Sequence, residues 1–277
     1  MSCYAGDMSQ RDWRPRYIQV AEELREQIHE GRLSPGEPLH SEPEIAETYG
    51  LSRTSVRNAI KLLRNWGLVT VQKGKGTYVR QPPQRVKRDA DSRYQWEKDR
   101  VVNPQEDRAR EGATEADTGL PFERLSFHIA YDTTQADDDL ATVFGIAPDT
   151  KLLRRTYETR DTADGTSFRS ATSYLVYDTV SANPALLDEA NEPWPGGTQH
   201  QLSTLGIEID RITDEVTARL PTPEEAHQMG IDEGVVVLSV RKISIDTTDT
   251  VAEVSDILMS ADRTLLSYTT HLNRWDQ

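Results

Sequence analysis

The chain has 277 residues, a formal net charge of −14 and 36% hydrophobic residues. That length suits about two domains with cores of their own, and no apolar run approaches the ~20 residues needed to cross a membrane. The opening stretch MSCYAGDMSQRDWRPRY has no secretory apolar core and Cys3 is the single cysteine, so no internal disulfide and a cytoplasmic location are expected.

Residues 1–12 are expected to be disordered, and 13–80 to form the first domain. Ile18, Ala21, Leu24 and Ile28 mark one face of a first helix, with Gly31 at its C-terminal end. GRLSPGEPL is a turn-rich crossing. In SEPEIAETYG, Ser41 and Glu44 have capping-box spacing, and Gly50 closes a short second helix. Ser52 caps a third helix, along which Val56, Ala59, Ile60, Leu63 and Trp66 recur on a core-facing side. Arg53, Arg57, Lys61 and Arg64 fall three or four residues apart on the other side. Gly67 ends this helix, LVTV and GTYV alternate as two strands, and Gln72-Lys73-Gly74-Lys75 makes a cationic tip.

A short helix, a second with a basic stripe and a basic hairpin make a winged helix-turn-helix. Arg53 and Arg57 are candidate readers of guanine edges, because a guanidinium can bond O6 and N7 together. Lys61, Arg64, Lys73 and Lys75 are candidate phosphate clamps, which position a domain without reading sequence.

Charge separates along the chain. Residues 11–88 hold 15 Lys+Arg and 9 Asp+Glu, a balance of +6, whereas residues 89–277 hold 17 and 36, a balance of −19. An acidic body repels a phosphate backbone, so only the N-terminal module is expected to face DNA. Residues 81–119 are charged and contain Pro and Gly, and read as a linker, with Tyr94 and Trp96 able to dock on a domain.

The remainder, 120–277, contains an internal repeat offset by 85 residues: DDLATVFGIAPDTKLLRRTY against EEAHQMGIDEGVVVLSVRK. Each half reads as strand, helix ending at Gly145-Ile146 or Gly230-Ile231, strand, polar hairpin and strand. Two such halves predict an α+β domain with a mainly antiparallel sheet and a pseudo-twofold, with a cleft suited to a small molecule. Arg154-Arg155 and Arg241-Lys242 are repeat-related basic pairs, fit either to hold an anionic ligand or to offset the acidic body. The six histidines and lone cysteine have no metal-ligand spacing, and no nucleophile elbow or phosphate loop occurs, so no cofactor, metal or enzyme chemistry is expected.

From Tyr17 to Val79 the chain resembles the GntR family of bacterial transcriptional regulators, through YxQVAxELRxQIxxGRLxPGExLxSExEIAxxYGLSRTSVRxAIxxLxxxGLVxxxxGKGTYV. The body resembles the UTRA effector domain of the HutC subfamily, through ARLPTPEEAHQMGIDEGVVVLSVRK and the repeat. The resemblance implies a fold shared with chorismate lyase, and a homodimer paired through its C-terminal domains on an inverted-repeat operator. It implies a small effector that lowers DNA affinity.

Arg53, Thr54, Ser55 and Arg57 match the family's recognition-helix start, and Gly74 and Gly76 its minor-groove wing; Ser41, Glu42 and Asn58 complete the candidate DNA-binding set. Pro43 stands where many members carry a base-reading arginine. Arg160 falls where sugar-phosphate-responsive members place anion-binding arginines, and Glu253 matches a frequent pocket glutamate. Ser173, Tyr174 and Glu215 complete the candidate effector set. Glu158, where a second arginine is often found, argues against a phosphorylated sugar and for a neutral or cationic metabolite. Two other readings are a lyase-like enzyme tethered to a DNA-binding module and a ligand-independent dimeric repressor, such as a plasmid or conjugation regulator.

Overall fold

The computed structural model describes residues 13–72, 74–81, 85–110, 112–163, 165, 167–231 and 234–272. The chain divides into two compact units, residues 1–82 and 83–277.

In the first unit α1 (Arg16–His29) buries Val20, Ala21 and Leu24. Then α2 (Glu42–Tyr49) opens on the full capping box: the Ser41 amide donates to Glu44 at 2.7 Å, and the Glu44 amide to Ser41 Oγ at 3.5 Å. Ser52 caps α3 (Arg53–Asn65), its Oγ accepting from the Ser55 amide at 3.2 Å. The strands β1 (Val69–Gln72) and β2 (Gly76–Val79) pair as a hairpin, Val69 opposite Val79 and Gln72 opposite Gly76. One core joins these elements: Val20, Leu24, Ile45, Val56, Ala59, Leu63, Val69 and Val79. Trp66 departs from the expected core face. It caps the end of α3, is 36% exposed, and lies 5.1 Å beneath the Arg25 guanidinium.

The second unit starts earlier than the expected boundary at 120. The supposed linker carries β3 (Val86–Asp89), α4 (Ala90–Arg100), α5 (Gln105–Arg108) and α6 (Ala113–Thr118). These elements bury Arg88, Arg93 and Thr114 instead of a stripe of aliphatic residues, so hydropathy alone gives them no signature.

Next come β4 (Leu125–Gln135), α7 (Asp138–Phe144), β5 (Lys151–Asp161), β6 (Ser167–Val176), α8 (Tyr177–Val180), α9 (Gly197–Ser203), β7 (Ile209–Arg219), α10 (Pro223–Met229), β8 (Val237–Asp246), β9 (Val251–Ser260) and β10 (Thr264–Ser267). Six strands form one antiparallel sheet in the order β4-β5-β6-β9-β8-β7, and β10 pairs in parallel with β3. The order is a palindrome of the repeat. A pseudo-twofold between β6 and β9 exchanges β4 with β7, β5 with β8 and α7 with α10. The twin helices end alike, at Gly145 with φ 69° and Gly230 with φ 63°, the left-handed closure that glycine favours. On one face of the sheet α7 packs with Leu152, Tyr174 and Val254. On the other, Leu153 and Leu175 pack with Val180 of α8 and Leu202 of α9.

Candidate nucleic-acid interface and effector cavity

Burial of Val56, Ala59, Ile60 and Leu63 turns the opposite side of α3 outward. Arg53, Thr54, Arg57, Asn58, Lys61 and Arg64 are all exposed there, giving a helix face with four cations along about three turns. Arg57 is not loose: its Nε donates to Glu42 Oε2 at 2.9 Å, which ties α3 to the first turn of α2. Ser41 and Ser55 sit in the two caps, so part of the candidate contact set shapes the helix starts. At the hairpin tip Gly74, Lys75 and Gly76 are exposed; Lys73 lies outside the described residues.

In the body, the sheet face away from α7 floors a cavity of about 370 Å³. Strand alternation lays its floor in three cross-strand rows. Thr159 with Arg169 form one end, Tyr157 with Ala171 and Ile257 the middle, and Ser173 with Ser255 and Lys242 the other end. The walls come from Arg88 of β3, from Arg93, Tyr94, Trp96 and Glu97 of α4, and from the 192–199 segment leading into α9.

At the serine end, charges are matched. Arg155 is 1% exposed, and its guanidinium donates to Gln201 at 2.6 Å, Ser173 at 2.8 Å, and Thr198 and Glu253 each at 3.2 Å. The second oxygen of Glu253 takes Lys242 at 2.8 Å. Burial alone would raise the Glu253 carboxyl, but the cations Lys242 and Arg155, with hydrogen bonds from Lys242 and Ser173, hold it well below the usual range. Above this row Glu192 accepts from the hydroxyls of Tyr131 at 2.5 Å and Tyr157 at 3.0 Å and from Gln201 at 3.0 Å. Burial pushes the Tyr131 phenol up to about 12. The network is polar and densely hydrogen-bonded, with the buried Arg155 Nε left without a partner among the described residues.

The other end is cationic. Arg93 contacts Asp117, Glu97 at 3.2 Å and the Ala113 carbonyl at 3.2 Å. Arg88 donates to Tyr94 Oη at 3.3 Å and Met259 Sδ at 3.7 Å. Arg169 forms no hydrogen bond or ion pair among the described residues, and its Nε is buried.

Of the five candidate effector residues, the structure brings Ser173 and Glu253 together in the cavity and leaves three elsewhere. Arg160 pairs with Glu158 at 2.6 Å and reaches the Gln228 carbonyl. Tyr174 belongs to the cluster beneath α7. Glu215 is exposed on the edge strand β7, opposite Arg241. The basic pairs split by alternation. Arg155 and Lys242 point to the cavity side, while Arg154 pairs with Asp132 and Arg241 with Asp256 and Asp139. The period of two along a strand is the signal that sorts the members of each pair.

A family described as bacterial regulatory proteins, gntR family, matches residues 16–79, and the UTRA domain matches residues 127–264. The HTH-type transcriptional repressor NagR of Bacillus subtilis (strain 168) is 28% identical over 251 residues, covering 90% of this chain and 92% of that protein. A crystal structure of a GntR-family transcriptional regulator superposes with TM-score 0.62 at 25% identity, over 94% of this chain and 99% of that one. PhnF from Mycobacterium smegmatis shares the fold, with TM-score 0.50 at 22% identity, over 92% and 100% of the two chains.

Proposed function

The chain belongs to the gntR family of bacterial regulatory proteins and carries a UTRA domain, and from that premise we propose a homodimeric repressor whose operator affinity is set by a small molecule held in its body. It is a DNA-binding transcriptional regulator with a ligand-binding domain rather than an enzyme, which removes the lyase-like reading. The named relative NagR is a repressor, which supports that sign of regulation here. Among the described residues no helix is long and apolar enough to cross a membrane.

The observation that carries the proposal is the coexistence, in one chain, of an outward cationic α3 and a cavity of about 370 Å³ whose floor is polar at both ends and largely apolar between them. In this reading Arg53 and Arg57 reach base edges, Thr54 and Asn58 support them, and Lys61, Lys73 and Lys75 meet phosphates, with Gly74 and Gly76 letting the wing approach the duplex. Glu42 orients Arg57, and Ser41 and Ser55 hold the helix starts. Ser173 and Glu253 contribute to the effector cavity. Two copies paired through their bodies present two α3 helices to half-sites about one helical turn, ~34 Å, apart. An effector switches the protein only through its differential affinity for the arrangements that fit and do not fit that spacing.

Footprinting on the DNA upstream of the protein's own gene, with sedimentation of the complex, tests this reading. Two protected half-sites holding two protomers are expected. Protection of a single half-site by one protomer would overturn the dimer. A compound that binds the body and leaves operator affinity unchanged would overturn the switch.

A further inference from the structure

We propose that the cavity's ligand is an organic anion whose charged head docks on Arg169, between Arg88 and Arg93. The inference rests on the body being the effector domain and names the chemical class it takes.

Three guanidinium groups converge at this end of the cavity, and among the described residues only Arg93 has carboxylates within ion-pair distance, Asp117 and Glu97. Arg88, 5% exposed, has a phenol and a thioether. Arg169 has no partner among the described residues, and its Nε is buried. Arg169 is half-buried, and Asp117 and Glu97 act on it only from beyond ion-pair distance; a partly buried cation short of counter-charge is costly, and a guanidinium stays charged at neutral pH. Burial, then the neighbouring Arg93 and Arg88, press Arg169 down to about 10, with Asp117 and Glu97 offsetting only part of that. The serine end differs: there Arg155 and Lys242 face Glu253, and Glu192 stands close by. The cavity is thus polarised, with one end self-neutralised and the other short of negative charge.

The floor sets the rest of the ligand. Arg169 and Ser173 stand four residues apart on β6, about 13 Å at ~3.3 Å per residue, with Ala171, Ile257 and Tyr157 between them. That space fits an anion with an apolar or aromatic body and not a bare inorganic ion. Glu158, the acidic residue that pointed to a neutral or cationic metabolite, is neutralised by Arg160 at 2.6 Å and does not set the charge preference. Arg88 and Arg93 precede residue 127, where the UTRA match begins. The segment joining the two matched domains therefore contributes to ligand choice.

The test uses the full chain and four probes that share one body and differ in the head: 4-phenylbutyrate, 4-phenylbutyl phosphate, 4-phenylbutanol and 4-phenylbutylamine. Thermal unfolding and calorimetry are run at constant ionic strength. At least one anion is expected to raise Tm saturably and to bind about tenfold or more tightly than the alcohol, with the amine weaker still; the two anions distinguish a carboxylate from a phosphate head. Arg169→Gln should abolish that preference, and Arg169→Lys, which keeps the charge without the fork, should retain part of it. Equal or tighter binding of the alcohol or amine, no saturable shift from either anion, or an undiminished preference in Arg169→Gln would overturn the proposal. Operator binding of the same preparations is measured separately. Its loss in the wild type would refute the regulator reading, whereas its presence alongside failed anion binding refutes only this inference.

Discussion

Replacing Glu253 by glutamine keeps the shape of the side chain and removes one charge from a buried site. Glu253 is 2% exposed and accepts five hydrogen bonds: Ser173 at 2.6 Å, Arg155 and Ser255 each at 3.2 Å, Lys242 at 2.8 Å and Ser244 at 3.3 Å. A glutamine amide turns one of those acceptors into a donor facing donors, and leaves Arg155 and Lys242 without their carboxylate. Removing one member of a buried charge group costs about 3–5 kcal/mol. For a unit of this size, at ~2–4 °C per kcal/mol, Tm should fall by about 6–20 °C. Adding Lys242→Met to Glu253→Gln removes one stranded cation and should recover part of the loss, a coupling of at least ~1 kcal/mol. The pH dependence has a definite sign. The folded carboxyl lies below the ordinary glutamate value of 4.5, so its stabilising charge is fully present above that pH and is lost as the pH falls through the folded value. The gap between variant and wild type should therefore narrow on acidification below 4.5. Thermal unfolding of the full chain at neutral pH and at pH 4 reads both effects. A loss under ~1 kcal/mol, or a gap that does not change with pH, would refute the reasoning.

Other outcomes follow from the DNA-binding unit. Arg53→Ala should cost about 1–3 kcal/mol on a specific operator and relax preference at one base, whereas Lys75→Ala should weaken all sequences alike and lower the salt slope by about one per protomer; anisotropy titrations on specific and scrambled duplexes separate the two. Glu42→Ala frees Arg57 from its 2.9 Å ion pair, so discrimination between the same duplexes should fall while non-specific affinity stays level or rises. Leu63→Ala removes a fully buried side chain of the first core and should cost about 2–5 kcal/mol, read as an earlier unfolding of that unit and an unchanged transition of the body.

The DNA-binding unit was legible because its signals are local. Ser41 with Glu44 and Ser52 with Ser55 act within four residues, and the buried face of α3 repeats at helical spacing. Trp66 was misjudged because spacing says which side a residue faces and not that the helix stops beneath it. The pseudo-twofold sheet was legible through the 85-residue repeat, which carries the twin helix ends at Gly145 and Gly230. The segment 86–118 was not, because it buries Arg88, Arg93 and Thr114, and polar burial has no hydropathy period. The cavity was half legible. Ser173 and Glu253 fell on the right face, but neighbours such as Tyr174 point the other way, and only strand parity anchored to the register separates them. Glu192 lies in irregular chain between α8 and α9, where no periodicity reports position.

The most direct test of the account is the affinity of the full chain for DNA upstream of its own gene, measured across a salt series for the wild type and for Arg53→Ala/Arg57→Ala. Tight, footprinted binding is expected, its log affinity falling linearly with log salt at about 0.9 per phosphate contacted, and the double variant should lose the preference for the operator over scrambled DNA. Weak binding with the same affinity in the double variant would contradict α3 as the sequence reader.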